Sequence, residues 1–157
     1  MEKHKKCCFI GHRHVCLTDE EKRKINNALI NIIEDGVDIF LFGSRSRFDD
    51  LCHDLVTGLQ GVYPQIKRVY VRAEYPDISD VYESYLRKSY EHTYFPPEIR
   101  GAGRAVYVER NFGMIDKSDY CVFYYDAQNA RTKSGTKKAY EYAQKKGKSV
   151  INIFEIN

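Results

Sequence analysis

The sequence predicts an α/β protein, a Rossmann-like three-layer sandwich built on a mainly parallel sheet of five strands or slightly more. Two observations lead there. Short apolar runs alternate along the chain with amphipathic helical stripes, and several of those runs are continuously apolar, as strands buried on both faces must be. Right-handed crossovers then place the helices on both faces of the sheet. At 157 residues, 43% of them hydrophobic, the chain fits one domain over 1–157 with enough material for a real core.

The elements follow in order. "CCFIGHR" gives a buried strand from Cys7 to Ile10 that stops at Gly11. "LTDEEKRKINNALINIIEDG" opens on a capping box, Thr18 with Glu21, and carries Ile25, Ala28, Leu29, Ile32 and Ile33 at helical spacing up to Gly36. The plan repeats as a strand from Val37 to Phe42, a break at Gly43-Ser44, and a helix with Phe48, Leu51, Cys52, Leu55, Val56 and Leu59 on one stripe. A third strand spans 67–73. From 74 to 104 the pattern loosens around Pro76, Pro96, Pro97, Gly101 and Gly103, with a short helix expected near 79–91. A helix from about Glu109 to Lys117, a strand from Tyr120 to Tyr125, a helix carrying Thr136, Ala139, Tyr140 and Ala143 that ends at Gly147, and a strand from Val150 to Phe154 complete the series.

Lys and Arg number 25 against 22 Asp and Glu, a net +3, too slight an imbalance to announce a nucleic-acid binder by itself. Five cysteines with no C-x-x-C pair, and no secretory apolar segment at the start, predict a reduced, cytoplasmic protein. No apolar run approaches the roughly 20 residues that cross a bilayer, so no membrane association is expected. Repeats, low-complexity tracts and linkers are not evident.

In open parallel sheets ligands settle outside the carboxyl ends of the strands, where strand order reverses. Three loops there carry the unusual residues: "GHR" at 11–13, "GSRSRFDD" at 43–50 and "DAQNARTKSGT" at 126–136. They offer glycines for close backbone approach, helix starts for phosphate, and Arg13, Arg45, Arg47, Arg131 and Lys133 for charge-assisted bonds. Ser134, Gly135 and Thr136 at the last helix start make either an anion seat or an ordinary cap. Neither G-x-G-x-x-G nor G-x-x-x-x-G-K-[ST] occurs, which excludes the ordinary dinucleotide fingerprint and the P-loop.

"CCFIGHR", "FGSRSRFDD", "ERNFGMIDKSDYCVFYY" and "KSGTKKAYEYAQKKGKSVINI" together resemble the SLOG superfamily, in particular its short single-domain members related to the YpsA and DUF1273 proteins. The resemblance spans nearly the whole chain and is weakest from 74 to 100. It implies a Rossmann-like domain binding nucleotide-derived ligands, in a superfamily that includes sensors, DNA-processing modules and phosphoribohydrolases. Carried over by motif, the pocket comprises Gly11, His12 and Arg13, then Gly43, Ser44 and Asp49, then Arg110, Asn111, Met114 and Asp116, and finally Ser134, Gly135 and Thr136. Members that release a base carry P-G-G-x-G-T-x-x-E. Here the residue three after Thr136 is Ala139, and Lys133-Ser134 replaces the glycine pair.

The leading expectation is therefore a protein that senses or sequesters a small phosphorylated nucleotide-derived ligand, ADP-ribose-like or cyclic. Phosphate would sit on Gly11, Gly43 and the Ser134-Gly135-Thr136 helix start, with Arg13 and Arg45 neutralising it and Asp49 or Asp116 accepting a ribose hydroxyl. A nucleotide N-glycosidic hydrolase, with Asp49 and Asp116 as its acid and base, is the first alternative, and a single-stranded DNA module the second. No cofactor is expected. His12, His14 and Cys16 alternate in a way that would suit a metal on an extended segment, but a segment leaving a strand end should turn, so no metal site is expected. Tyrosines, 13 in all, crowd "VYESYLRKSYEHTYF" at 81–95, where they can stack on a base, pack, or form the surface of a homo-oligomer.

Overall fold

The computed structural model describes residues 4–13, 15, 17–44, 46–128 and 135–156. Its strands are β1 (Lys5–Gly11), β2 (Val37–Phe42), β3 (Lys67–Val71), β4 (His92–Tyr94), β5 (Tyr120–Tyr124) and β6 (Ser149–Asn152). Between them run α1 (Asp19–Glu34), α2 (Arg47–Leu59), α3 (Asp80–Arg87), α4 (Val106–Lys117) and α5 (Gly135–Lys145). The strands form one sheet in the order β4-β3-β2-β1-β5-β6, every neighbouring pair parallel. The expected α/β sandwich is present.

Alternation along β1 builds the three layers, because successive side chains of a strand point to opposite faces. Cys7 and Phe9 join Ile25, Leu29 and Ile32 of α1 and Phe48, Cys52 and Val56 of α2 in one core. Cys8 and Ile10 join Met114 and Ile115 of α4 and Ala139 and Ala143 of α5 in the other. Both faces of β1 are thus covered, which explains why "CCFI" reads as continuously apolar. Small Ala139 and Ala143, each wholly buried, let α5 lie close to the sheet.

Several bounds differ by a few residues, such as the end of β3 at Val71 and the start of α4 at Val106, and two differences matter more. A sixth strand, β4, pairs with β3 through Val69–His92, Tyr70–Thr93 and Val71–Tyr94. Three residues cannot display a period, and the flanking tyrosines and prolines hide them; a short edge strand also resists pairing with other chains. The last strand ends at Asn152, and Ile153–Glu155 turns into a 3₁₀ segment. That turn lets Ile153 bury itself in the α1–α2 core.

Helix starts follow their caps. At α1 the Glu21 amide donates to Thr18 Oγ1 (3.2 Å) and the Thr18 amide donates to Glu21 Oε1 (3.2 Å), the reciprocal pair that satisfies two otherwise orphaned donors. Ser46 caps α2 and Ser79 caps α3 in the simpler way, each Oγ accepting an amide three residues on (3.1 Å in both).

The end of β1 is fixed by contact with α2. A Cβ built on Gly11 would lie 2.7 Å from Phe48 Cβ, and Phe48 is wholly buried, so neither side can give way. Gly11→Ala is expected to lower stability by about 1–3 kcal/mol through overpacking. Gly58→Ala, inside α2 with open space around it, should instead raise stability by roughly 0.5–1 kcal/mol. Thermal unfolding of the two variants side by side checks both signs.

Candidate functional site

The chain runs β1 to β4 across one half of the sheet, then returns through α4 to place β5 on the other side of β1. Loops leaving β1 and β5 therefore diverge, and a crevice must open at the carboxyl edge between them. A cavity of about 1250 Å³ occupies this edge. Gly11, His12 and Arg13 line it from the end of β1, Gly43 and Ser44 from the end of β2, Arg110, Asn111 and Met114 from α4, and Gly135 and Thr136 from the start of α5. Four segments far apart in sequence are thus brought to one space. Arg45, Arg131, Lys133 and Ser134, with His14 and Cys16 of the metal consideration, lie outside the described residues.

The loop after β2 differs from its sequence reading. Asp49 is 2% exposed, and its Oδ2 accepts from the amides of Ser44 (3.1 Å) and Gly43 (3.4 Å). The carboxylate thus occupies the backbone donors on which a phosphate at Gly43 would rest. Ser46 Oγ accepts the Asp49 amide at 3.1 Å and stands 3.5 Å from Oδ1, so Asp49 closes the capping arrangement of α2 onto the loop before it. The spacing Ser46-x-x-Asp49 is the cap signature that carries this signal in the sequence.

Gly43 itself has a packing reason. A Cβ there would stand 2.8 Å from both Arg110 Nε and Met114 Cε; the glycine admits α4 against the end of β2. Arg110 is 6% exposed, and its Nε is buried without a hydrogen-bond partner. Its Nη2 donates to Asn111 Oδ1 (3.3 Å), and its guanidinium carbon lies 5.6 Å from the centroid of the Tyr107 ring. A guanidinium this dry and this poorly matched by neighbours is a strong attractor for an anion entering the cavity.

Asp49 and Arg110 form a buried charge couple without a direct ion pair. Burial raises the Asp49 carboxyl from its usual 3.8 to about 6, opposed by the Ser44 and Gly43 donors and by the Arg110 charge. Burial also lowers the Arg110 pKa, with the Asp49 charge opposing. An arriving anion would share Arg110 with Asp49.

His12 plays a different part. Its Nε2 accepts the Asp126 amide at 3.0 Å, so the proton of the neutral ring sits on Nδ1. Burial lowers its pKa, which keeps that neutral form at physiological pH. The ring ties the end of β1 to the loop after β5 and leaves Nδ1–H as a donor.

Asp116 is not brought into the site. It is exposed and absent from the cavity wall; its Oδ1 accepts from Tyr142 of α5 (2.7 Å), and its carbonyl accepts from Lys148 Nζ (3.2 Å). The helical period contained the correction. Asp116 lies two residues past buried Met114, about 200° around α4, and so faces away from it.

The structure adds a wall that the sequence reading did not assemble: Tyr70, Arg72, Glu74, Tyr75, Asp77, Tyr82, Tyr85 and Tyr107 all face the cavity. Of the tyrosines in 81–95, Tyr82 and Tyr85 are at its mouth. Tyr90 instead packs at tilted angles among Phe42, His53 and Tyr70, and Tyr94 lies under Lys117 Nζ at 4.7 Å. No single periodicity marks this wall, because it is assembled from the end of β3, the loop after it, short α3 and the start of α4.

A parallel α/β sandwich with glycine-bearing strand ends and a buried arginine at the strand-order reversal defines a Rossmann-like domain. Residues 20–156 match the YspA SLOG family, YpsA, and the chain belongs to that family. No curated protein matches the sequence. Among the described residues no helix is long and apolar enough to cross a membrane.

The Asp49 shift has a pH consequence with a definite sign. The native state holds this proton up to about 6 while the unfolded chain releases it near 3.8, so stability from this group is complete below the lower value and lost as pH rises through the upper one. Across that window the stability of the natural protein relative to Asp49→Asn should fall by about 3 kcal/mol. The asparagine keeps an acceptor for the Gly43 and Ser44 amides and does not titrate. Urea titrations of both proteins at stepped pH measure the difference; a flat or rising difference would contradict the buried-carboxylate assignment.

Proposed function

We propose that this protein binds a small phosphorylated nucleotide-derived ligand, of the ADP-ribose-like or cyclic-nucleotide kind, and returns it intact, acting as a sensor or a sequestering protein. The observation carrying this reading is Arg110, a buried guanidinium with an unpartnered Nε on the wall of a cavity large enough for a nucleotide. Arg13 borders the same cavity, and the first turn of α5 adds Thr136 and a positive helix end. Phosphate is read here by Arg110, Arg13 and the α5 start, with the Gly43-Ser44 amides left to Asp49. Membership in the SLOG family agrees with a nucleotide-related ligand.

Chemistry at the ligand is not needed by this arrangement. Asp49 is turned onto its own loop, Asp116 is engaged with Tyr142 outside the cavity, and Ala139 stands buried at the position where base-releasing relatives carry glutamate. Among the described residues the carboxylates on the cavity wall are Glu74 and Asp77, and a hydrolase would draw its acid and base from them.

Mass spectrometry of small molecules released on denaturing the purified protein should yield a nucleotide that survives incubation with fresh protein. Appearance of free base would instead identify an N-glycosidic hydrolase. Binding that collapses steeply with salt, seen with single-stranded DNA and not with nucleotides, would mark a DNA module. Substituting Arg110→Met together with Asp49→Asn, which removes both buried charges and spares the fold an unpaired one, should weaken inorganic pyrophosphate binding by about 10- to 100-fold. Unchanged calorimetric affinity in the double variant would refute the role of Arg110.

A further inference from the structure

The mouth of the cavity differs in chemistry from its floor, and it is built from a part of the chain that the core hardly uses. Helix α3 buries only Leu86, while Tyr85 is 58% exposed and Tyr82 half-buried. Tyr75, Tyr82 and Tyr85 form a row with ring centroids 6.1 and 6.2 Å apart and planes tilted by 54° and 57°. Such tilts leave no parallel slot between rings, so a planar ligand would lie on their faces and not between them.

The loop bearing this row is held in place. Arg72 donates through Nε to the Tyr75 carbonyl (3.0 Å), through Nη2 to the Pro76 carbonyl (3.3 Å) and through Nη1 to Thr93 Oγ1 (3.1 Å). These bonds fix Tyr75 and its neighbour Asp77 against β4. The negative charge at this end is carried by two carboxylates, Glu74 and Asp77. Asp77 is 88% exposed and touches Arg100 only at 3.5 Å, whereas Glu74 accepts the Tyr107 hydroxyl. The exposed Asp77 carboxylate suits a ligand ring that brings N–H donors on its edge.

We propose that this end of the cavity is a base-recognition subsite that holds a purine on the tyrosine faces and prefers guanine to adenine. One carboxylate accepts from two adjacent donors, and guanine presents such a pair in N1–H and the exocyclic amine. Adenine offers one donor beside a ring-nitrogen acceptor, whose lone pair would oppose the second carboxylate oxygen. The ligand then spans the cavity, phosphates toward Arg110 and base toward Asp77. This assignment rests on the reading of Arg110 as the phosphate site.

Calorimetric titration of the full chain with GDP, ADP and inorganic pyrophosphate separates the two. GDP should bind at least about tenfold more tightly than ADP. Tyr82→Ala should weaken GDP by roughly tenfold through lost stacking, and Asp77→Ala should erase the preference for GDP over ADP. Pyrophosphate affinity should be the same in both variants, which change side chains outside the core and serve as their own folding control by thermal melting. Pyrophosphate bound with GDP and ADP equal, or GDP affinity and preference unmoved in both variants, would overturn the subsite and leave the phosphate site standing. No binding of pyrophosphate or either nucleotide would overturn both.

Discussion

Two opposite charges buried around one glycine organise the carboxyl edge of this sheet. Asp49 accepts the amide of Gly43, and Arg110 passes where a side chain on Gly43 would stand. Removing a charged group from water costs several kcal/mol, so each is tolerable here only because the other, and the loop donors, are near. The couple fixes the β2–α2 loop, the approach of α4 and the position of the guanidinium in a single arrangement. It also leaves Arg110 incompletely satisfied, since Asp49 spends its oxygens on amides and serine and forms no ion pair with it. What the fold leaves unmatched, a ligand anion can complete.

The glycines acquire a meaning different from close approach to phosphate. Gly11 yields to Phe48 and Gly43 to Arg110 and Met114, so both are demanded by packing between a strand end and the helix that crosses it. This is still a functional constraint at one remove. Without Gly43 the helix carrying Arg110 could not come so near the strand edge, and the cation would not reach its place on the cavity wall.

The cavity is graded along its length. Its lining combines buried Arg110 and Thr136 at a helix start with exposed Arg13 on one side, and tyrosine faces with Glu74 and Asp77 on the other. Phosphate oxygens and a donor-bearing aromatic ring have opposite requirements, and the proposed ligand has both. Arg110 and Thr136 sit on α4 and α5, helices that the core fixes. Tyr75, Asp77, Tyr82 and Tyr85 come from the 74–85 segment, where Arg72 and the Ser79 cap brace the backbone ahead of α3, so this wall can vary without disturbing the sheet.

The sequence by itself determined the layers. Unbroken apolar runs such as Cys7–Ile10 and the stripe Ile25, Leu29, Ile32 report burial directly, since hydrophobic period is a local property of a strand or helix, and the Thr18–Glu21 box is closed within three residues. Family motifs also pointed to these strand ends, and ten of the carried-over positions, from Gly11 to Thr136, line one cavity. Tertiary structure alone decided what those residues do there. Asp49 turned inward, Asp116 turned away, His12 became a tie to the Asp126 amide, β4 found its edge, and the 74–85 segment closed the mouth. Each of these depends on partners tens of residues distant, and periodicity states which face of an element is buried without stating what that face will meet.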